Sequence, residues 1–246
     1  MTPLRLMLLA LLMLSTLRAY GQQVYPTRDM ADDAGFEPIF DGQSLAGWEG
    51  DPTYWRVEEG CLVGEITPAT LLKQNSFIIW RGGAPEDFEL RLEYRISAGG
   101  NSGVNYRSAE IEGAKFALRG YQADIDAANK YTGQNYEEKG RTFLALRGDV
   151  GRVDADGVSR IIGSVGNIDE LATHVKANEF NALHLIVRGN VMIHLVNGHV
   201  MSVVVDDDPA HRAFAGLLGV QVHTGPPMKV EFRNLRLKQL PPVKVE

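Results

Sequence analysis

Between Phe88 and Asp126, apolar and polar residues alternate in three successive runs. Phe88, Leu90, Leu92, Tyr94 and Ile96 interleave with Glu89, Arg91, Glu93 and Arg95; Val104 and Tyr106 with Asn105 and Arg107; Tyr121, Ala123 and Ile125 with Gln122, Asp124 and Asp126. Successive side chains on a strand point to opposite faces, so each run predicts a β-strand with one apolar and one polar face. The pattern further predicts that the three polar faces join into one floor of amides, carboxylates and guanidiniums. Gly99, Gly100, Gly103, Gly113 and Gly120 lie in and between these runs, and residues without a Cβ permit tight turns or close approach of a ligand to the backbone. Such a floor suits a polar ligand, and a sugar fits it.

Short strand-like runs recur along the rest of the chain with turn signals between them. Trp55 and Val57, then Cys61 and Val63, flank a turn at Glu58, Glu59 and Gly60; Ser76 to Trp80, Thr142 to Leu146 and Val158 to Ile162 are further strands. Val191 to Val196 and His199 to Val205 are joined by Asn197 and Gly198, the pair that best tolerates the positive φ angles of a type I′ hairpin turn. Leu217 to His223 and Val230 to Leu237 close the chain, the second slipping register near Asn234 as a β-bulge would make it do. Only Asp169 to Lys176 reads as a helix, with Asn167 or Asp169 as its cap. About a dozen strands and one short helix predict an all-β fold, a jelly-roll β-sandwich of two antiparallel sheets with one outer face free to bind.

The ends of the chain bear on where it works. Arg5, the apolar run Leu6 to Leu17 and the small-x-small triplet Ala19, Tyr20, Gly21 have the form of a secretory signal. The expected organisation is a signal peptide over 1–21, a polar lead over 22–35, one domain over 36–240 and a tail over 241–246. The apolar run falls short of the ~20 residues a membrane helix needs, and no later run reaches that length, so no membrane span is expected in the mature chain. Periplasm or cell exterior is the expected compartment. Cys61 is the single cysteine, which excludes an intrachain disulfide and a lipid-anchoring thiol at the cleavage site. The formal charge of −6 becomes −8 when Arg5 and Arg18 leave with the signal. Nucleic acid is therefore an unsuitable partner, because phosphate backbones select basic patches interleaved with aromatics.

Asn105, Arg107, Gln122, Asp124, Asp126, Gln221 and His223 share the parity of the expected floor. Residues i and i+2 lie roughly 6.5 to 7 Å apart on one strand face, a spacing that suits successive hydroxyls of a sugar ring, and amides and carboxylates pair with hydroxyls. An ordinary solvated face is the alternative. Asp124 and Asp126 also invite comparison with paired-carboxylate glycosidases, whose retaining members hold the two groups about 5 to 5.5 Å apart; Gln122, an amide, stands where a third acid would extend the row. His223 is the best base, because Val220 and Val222 are expected to face the core and imidazole exchanges a proton near neutral pH. His184 and His194 are weaker, being flanked by the expected core residues Leu183 and Leu185 or Ile193 and Leu195. Tyr136, Glu137, Glu138 and Arg141 follow a polar loop, where Glu137 or Glu138 can supply an acid and Arg141 a clamp, although a turn with surface ion pairs explains the same residues. Glu65 and Lys73, in the segment from Gly64 to Asn75, carry the same two readings. The sequence holds no metal motif: Asp154, Ala155, Asp156, Gly157 begins like a calcium loop and lacks its distal Glu. Phosphate-binding glycine loops and nucleophile elbows are absent, so nucleotides and serine acyl chemistry drop out, and no cofactor is expected.

An ordered series of motifs spans nearly the whole mature chain: FEPIFDGQSLAGW from Phe36, YWRVEEGCLVGE from Tyr54, DFELRLEY from Asp87, GGNSGVNYR from Gly99 (with Asn101), GYQADID from Gly120, YEEKGR from Tyr136, then GVQVHTG from Gly219 and FRNL from Phe232. This series resembles the 3-keto-disaccharide hydrolase family. The resemblance implies a concanavalin A-like jelly roll and cleavage of glycosides oxidised at C3 of the sugar. A C3 ketone makes the C2 proton acidic, so a base can remove it, the enolate can expel the C1 substituent, and water can add to the enone. The implied assignments are His223 as base, Arg107 with Asn105 at the developing oxyanion, and Glu137 or Asp124 as acid. Asn101, Gln122, Asp126, Tyr136, Glu138, Arg141, Gln221, Glu65 and Lys73 are the expected substrate contacts. The chain departs from the family at Gln122, where members often carry Glu. The alternatives are a non-catalytic carbohydrate-binding module and a glycoside hydrolase with paired carboxylates.

Overall fold

A computed structural model describes residues 34–243; the expected signal peptide and its cleavage point lie outside the described residues. In chain order the strands are β1 (Glu37–Pro38), β2 (Trp48–Glu49), β3 (Trp55–Glu58), β4 (Cys61–Ile66), β5 (Ser76–Trp80), β6 (Phe88–Ile96), β7 (Asn101–Glu110), β8 (Leu118–Asp126) and β9 (Asn135–Glu138). They continue with β10 (Thr142–Ala145), β11 (Asp149–Val153), β12 (Ser159–Ser164), β13 (Asn181–Arg188), β14 (Val191–Val196), β15 (His199–Asp206), β16 (Leu217–Val222) and β17 (Met228–Gln239), with helix α1 (Ile168–Ala172) after β12. The short β1, β2 and β9 raise the strand number above the expected dozen.

Two sheets stack. One runs β12-β11-β15-β14-β13-β6-β17-β4-β3 with β1 also paired to β17, and the other runs β10-β9-β8-β7-β16-β5-β2. Nearly all pairs are antiparallel, and β11 with β15 is parallel. The alternating runs meet between the sheets, where the Phe88 ring of β6 lies edge-on to Tyr106 of β7 at 6.1 Å and Tyr106 stacks on Tyr121 of β8 at 5.6 Å. All three aromatic side chains are buried, and each contributes roughly 1.5–3 kcal/mol by leaving water.

This arrangement corrects the single floor expected from the three runs. β6 belongs to the opposite sheet from β7 and β8, so Glu89, Arg91, Glu93 and Arg95 lie on the far outer surface, where Arg95 pairs with Glu231 at 2.6 Å. Alternation reports two faces of a strand and says nothing of which sheet the strand joins.

The turn chemistry follows the residues. Glu59 and Gly60 (φ 49° and 76°) close β3 to β4, and Asn197 and Gly198 (φ 49° and 83°) close β14 to β15. Register slips in β17 between Arg233 and Arg236, around Asn234 at φ 53°. Helix α1 starts where Asn167 accepts the N–H groups of Asp169 and Glu170 and is shorter than expected, ending at Ala172 with Thr173 as its C-cap. On β14 the interior set is Met192, His194 and Val196, the reverse of the expected Ile193 and Leu195, because both faces of that strand carry apolar residues.

Candidate functional site

The outer face of the seven-stranded sheet carries the candidate chemistry. Register sets Asn105 opposite Gln122, Gly103 opposite Asp124 and Asn101 opposite Asp126 across β7 and β8, and Gln122 opposite Tyr136 across β8 and β9. Gln122 lies flat over Gly103, where a Cβ would come within 2.5 Å of the Gln122 amide carbon. Its Nε2 donates to Asp124 Oδ1 at 2.6 Å, while its Oε1 accepts from Gln221 Nε2 at 3.2 Å. Gln134 Nε2 donates to the other carboxylate oxygen, Asp124 Oδ2, at 2.7 Å.

Asp124 is the electrostatic centre of this face. Burial raises its pKa from 3.8 to about 7 against the lowering effect of the two amide donors, and the nearby carboxylates Asp126 and Glu138 push it the same way. The group is therefore divided between acid and carboxylate at neutral pH, the condition that favours proton transfer.

Two hollows adjoin each other on this face, and Asp124 lines the smaller. One of about 150 Å³ is lined by Asn101, Gln122, Asp124, Tyr136, Glu138 and His223, with the Tyr131 and Phe143 rings along its side. The other, of about 350 Å³, shares Tyr136, Glu138 and His223 and adds Lys73, Asn75 and Lys139. His223 Nδ1 lies 2.6 Å from the Thr224 carbonyl oxygen. A carbonyl only accepts, so Nδ1 carries the proton and Nε2 of the neutral ring is the basic nitrogen. Asn75 ties the shared wall together, donating to Glu138 Oε1 at 3.2 Å and accepting from the Thr224 N–H at 3.0 Å. Phe143 stands edge-on to Tyr136 at 5.2 Å and stacks with Tyr131 at 6.3 Å, giving an aromatic platform for the C–H face of a sugar ring.

The structure thus brings Asn101, Gln122, Asp124, Tyr136, Glu138, His223 and Lys73 together. Gln221 and Asn105 lie on the same face but are fully buried beneath it.

Five expected site residues are elsewhere. Arg107 sits at φ 44° where β7 bulges between Tyr106 and Ala109, and the bulge turns its side chain off the floor. Its five N–H donors go to the Glu86 carbonyl twice, the Gly189 and Ala213 carbonyls and the Asp87 carboxylate, leaving none for an oxyanion. Glu137 has the opposite parity to Glu138 and pairs with Arg141 at 2.6 Å. Arg141 in turn bridges to Asp206 at 2.7 Å and Asp208 at 3.1 Å, so the pair staples the β9–β10 hairpin to the end of β15. The Asp126 carboxylate accepts the N–H groups of Lys130, Tyr131 and Thr132 and builds the β8–β9 turn. Glu65 belongs to the other sheet and pairs with Arg56 at 2.7 Å.

Asn75, Gln134, Tyr131 and Phe143 are site residues that sequence reasoning passed over. Gln134 and Tyr131 lie in the polar stretch before β9, and their placement depends on a turn made by Asp126. Asn75 precedes β5 as a strand-opening polar residue, with no local signal of its partner 63 positions on.

Residues 35–238 match the model of the 3-keto-alpha-glucoside-1,2-lyase-like domain. The chain belongs to this family. Membership makes it a carbohydrate-active protein of glycosidase-like fold. A 3-keto-disaccharide hydrolase from Bacteroides thetaiotaomicron is 32% identical over 94 residues, an alignment covering 32% of this chain and 30% of the relative. The fold is shared with a candidate glycosyl hydrolase from Parabacteroides distasonis ATCC 8503, at TM-score 0.56 and 19% identity over 83% of this chain and 99% of the other. It is also shared with the carbohydrate binding module CBM66 from Bacillus subtilis, at TM-score 0.51 and 16% identity over 78% and 96%. Among the described residues, no group of three or more His, Cys, Asp and Glu is disposed to hold a metal ion, and no helix is long and apolar enough to cross a membrane.

Proposed function

We propose that the chain cleaves glycosides whose sugar carries a ketone at C3, by elimination followed by hydration. The observation that carries this reading is the buried Asp124, poised near pH 7 in a hollow it shares with His223. Elimination needs one group to take a proton and another to give one, and an imidazole with a free basic nitrogen beside a carboxyl that holds its proton near pH 7 meets that need. His223 Nε2 takes the C2 proton, and the electrons of that C–H bond form the enolate on the C3 oxygen. The enolate re-forms the ketone as the C1–O bond breaks, and protonated Asp124 gives its proton to the departing oxygen. Water then adds to C1 of the enone and a proton returns to C2, releasing the 3-keto sugar. Asn101, which lines the same hollow, is the amide assigned to the C3 oxygen, a role that replaces Arg107.

The two hollows meet at Tyr136, Glu138 and His223. A disaccharide with one ring in each places its glycosidic bond over these shared residues. The double-carboxylate alternative has lost its second member, because Asp126 is committed to main-chain donors. The secretory form of the leader favours action in the periplasm or outside the cell.

The test incubates the purified protein with 3-keto-disaccharides and with their unoxidised parents in deuterium oxide. Cleavage of the keto forms alone, with deuterium at C2 of the product above an enzyme-free control, is the expected result. Cleavage of both supports direct glycoside hydrolysis, and binding without cleavage supports a lectin. An unlabelled product from an active enzyme would falsify the elimination route.

A further inference from the structure

Asp124 is held from behind by residues that never reach the hollow. Gln134, whose amide donates to Asp124 Oδ2, lies on the short segment entering β9. Its own carbonyl accepts the Asp124 N–H at 3.3 Å and faces His194 Nδ1 at 3.2 Å. The preceding Gly133 gives its N–H to the Asp124 carbonyl at 3.0 Å, and its carbonyl accepts Ser202 Oγ at 2.8 Å. Gly133 also lies so close to β15 that a Cβ there would come within 2.6 Å of Met201.

The directions of these bonds are determined. A carbonyl faces Nδ1 of His194, so Nδ1 carries the proton and Nε2 accepts. Tyr106 donates its hydroxyl to Nε2 at 2.8 Å, and the Tyr106 oxygen accepts from Asn135 Nδ2 at 2.9 Å. His194 is fully buried, and burial lowers its pKa to about 4, so the ring stays neutral and the tautomer persists across the working pH range.

The geometry points to His194 as a positioning residue that, with Ser202, anchors the 133–134 peptides so that the Gln134 amide holds Asp124. This rests on the proposed role of Asp124 as proton carrier. The Gln134 bond favours the ionised carboxylate and opposes the upward push of burial, Asp126 and Glu138; Gln122 acts in the same direction as Gln134. Asn101, Tyr131, Tyr136 and His223 complete the surroundings of Asp124. Loss of the anchor lets the amide drift, and Asp124 then ionises at higher pH.

The experiment titrates the Asp124 carboxyl carbon by NMR in the full chain without substrate, its signal assigned by loss in Asp124→Asn. This readout is independent of turnover, so failure of the proposed reaction leaves it intact. Gln134→Leu is expected to raise the midpoint by about one pH unit, a tenfold change in proton affinity. His194→Phe moves it in the same direction, His194→Gln, which keeps an N–H donor, brings the midpoint most of the way back to the wild-type value, and His194→Phe adds nothing in the Gln134→Leu background. A folded His194→Phe protein with an unmoved midpoint, or a further shift in the double variant, overturns the inference. Ser202→Ala supplies the same test if His194→Phe does not fold: an upward shift supports the anchor, and an unmoved midpoint overturns it.

Discussion

Replacing Asp124 by asparagine removes a titrating group from a buried place while keeping its shape. In the folded chain the Asp124 pKa stands at about 7 against an ordinary 3.8. Between these values the folded state binds a proton that the unfolded chain has released, so protonation of Asp124 favours folding. That contribution is fully present below about pH 4 and is lost as pH rises through about 7. Its ceiling, near 4 kcal/mol, follows from a difference of roughly 3 in pKa at 1.36 kcal/mol each. Most of the loss falls between pH 5 and pH 8, where about 2–3 kcal/mol disappears from the wild-type protein and none from the variant. Asparagine adds a constant term, because its Nδ2 faces one of the two glutamine donors, at about 1–3 kcal/mol for an unsatisfied buried donor. The asparagine protein is thus less stable or comparable at pH 5 and gains on the wild type as pH rises. Urea unfolding of both proteins at pH 5, 6, 7 and 8 measures the difference, and taking it between the two cancels the titration of groups common to both. Parallel stability curves would refute the buried, proton-poised Asp124 and with it the acid assigned to the reaction.

His223→Ala is expected to lower turnover on 3-keto-disaccharides by about two to four orders of magnitude, the range for a lost general base, with an unchanged circular dichroism spectrum. Arg107→Ala leaves the buried Asp87 carboxylate without its cation and is expected to cost about 3–5 kcal/mol of stability in urea unfolding, while turnover per folded molecule is retained; a selective loss of turnover would return Arg107 to the site. Phe143→Ala removes a half-exposed ring from the platform and is expected to raise KM with kcat nearly unchanged, as steady-state kinetics will report. Mass spectrometry of the exported protein is expected to find a chain beginning at Gln22, and retention of residues 1–21 would contradict the secretory reading.

Much of the site was legible because it is written at strand period. Gln122 and Asp124 on β8, Tyr136 and Glu138 on β9, and His223 beyond β16 line one hollow because their parity relative to buried neighbours is a local property. The errors share a cause. Arg107 keeps the parity of Asn105 in the sequence, but a bulge at φ 44° breaks the alternation. Glu137 and Glu138 are adjacent and chemically alike, and only the pairing of β9 with β8 separates the one bound to Arg141 from the one in the hollow.

The sequence by itself determined the alternating strands, the turns at Glu59–Gly60 and Asn197–Gly198, and the motif series that marks the family, since each depends on residues close in the chain. The tertiary structure alone decided that β6 turns its charged face away from the site, that Asp126 is spent on its own turn, and that Asp124 is poised near neutrality. That last property arises from burial and from partners such as Gln134, held by His194 60 positions further on, and Gln122, held by Gln221 99 positions away. Desolvation and hydrogen bonding act through space, and the neighbours that impose them exist only once the strands have paired.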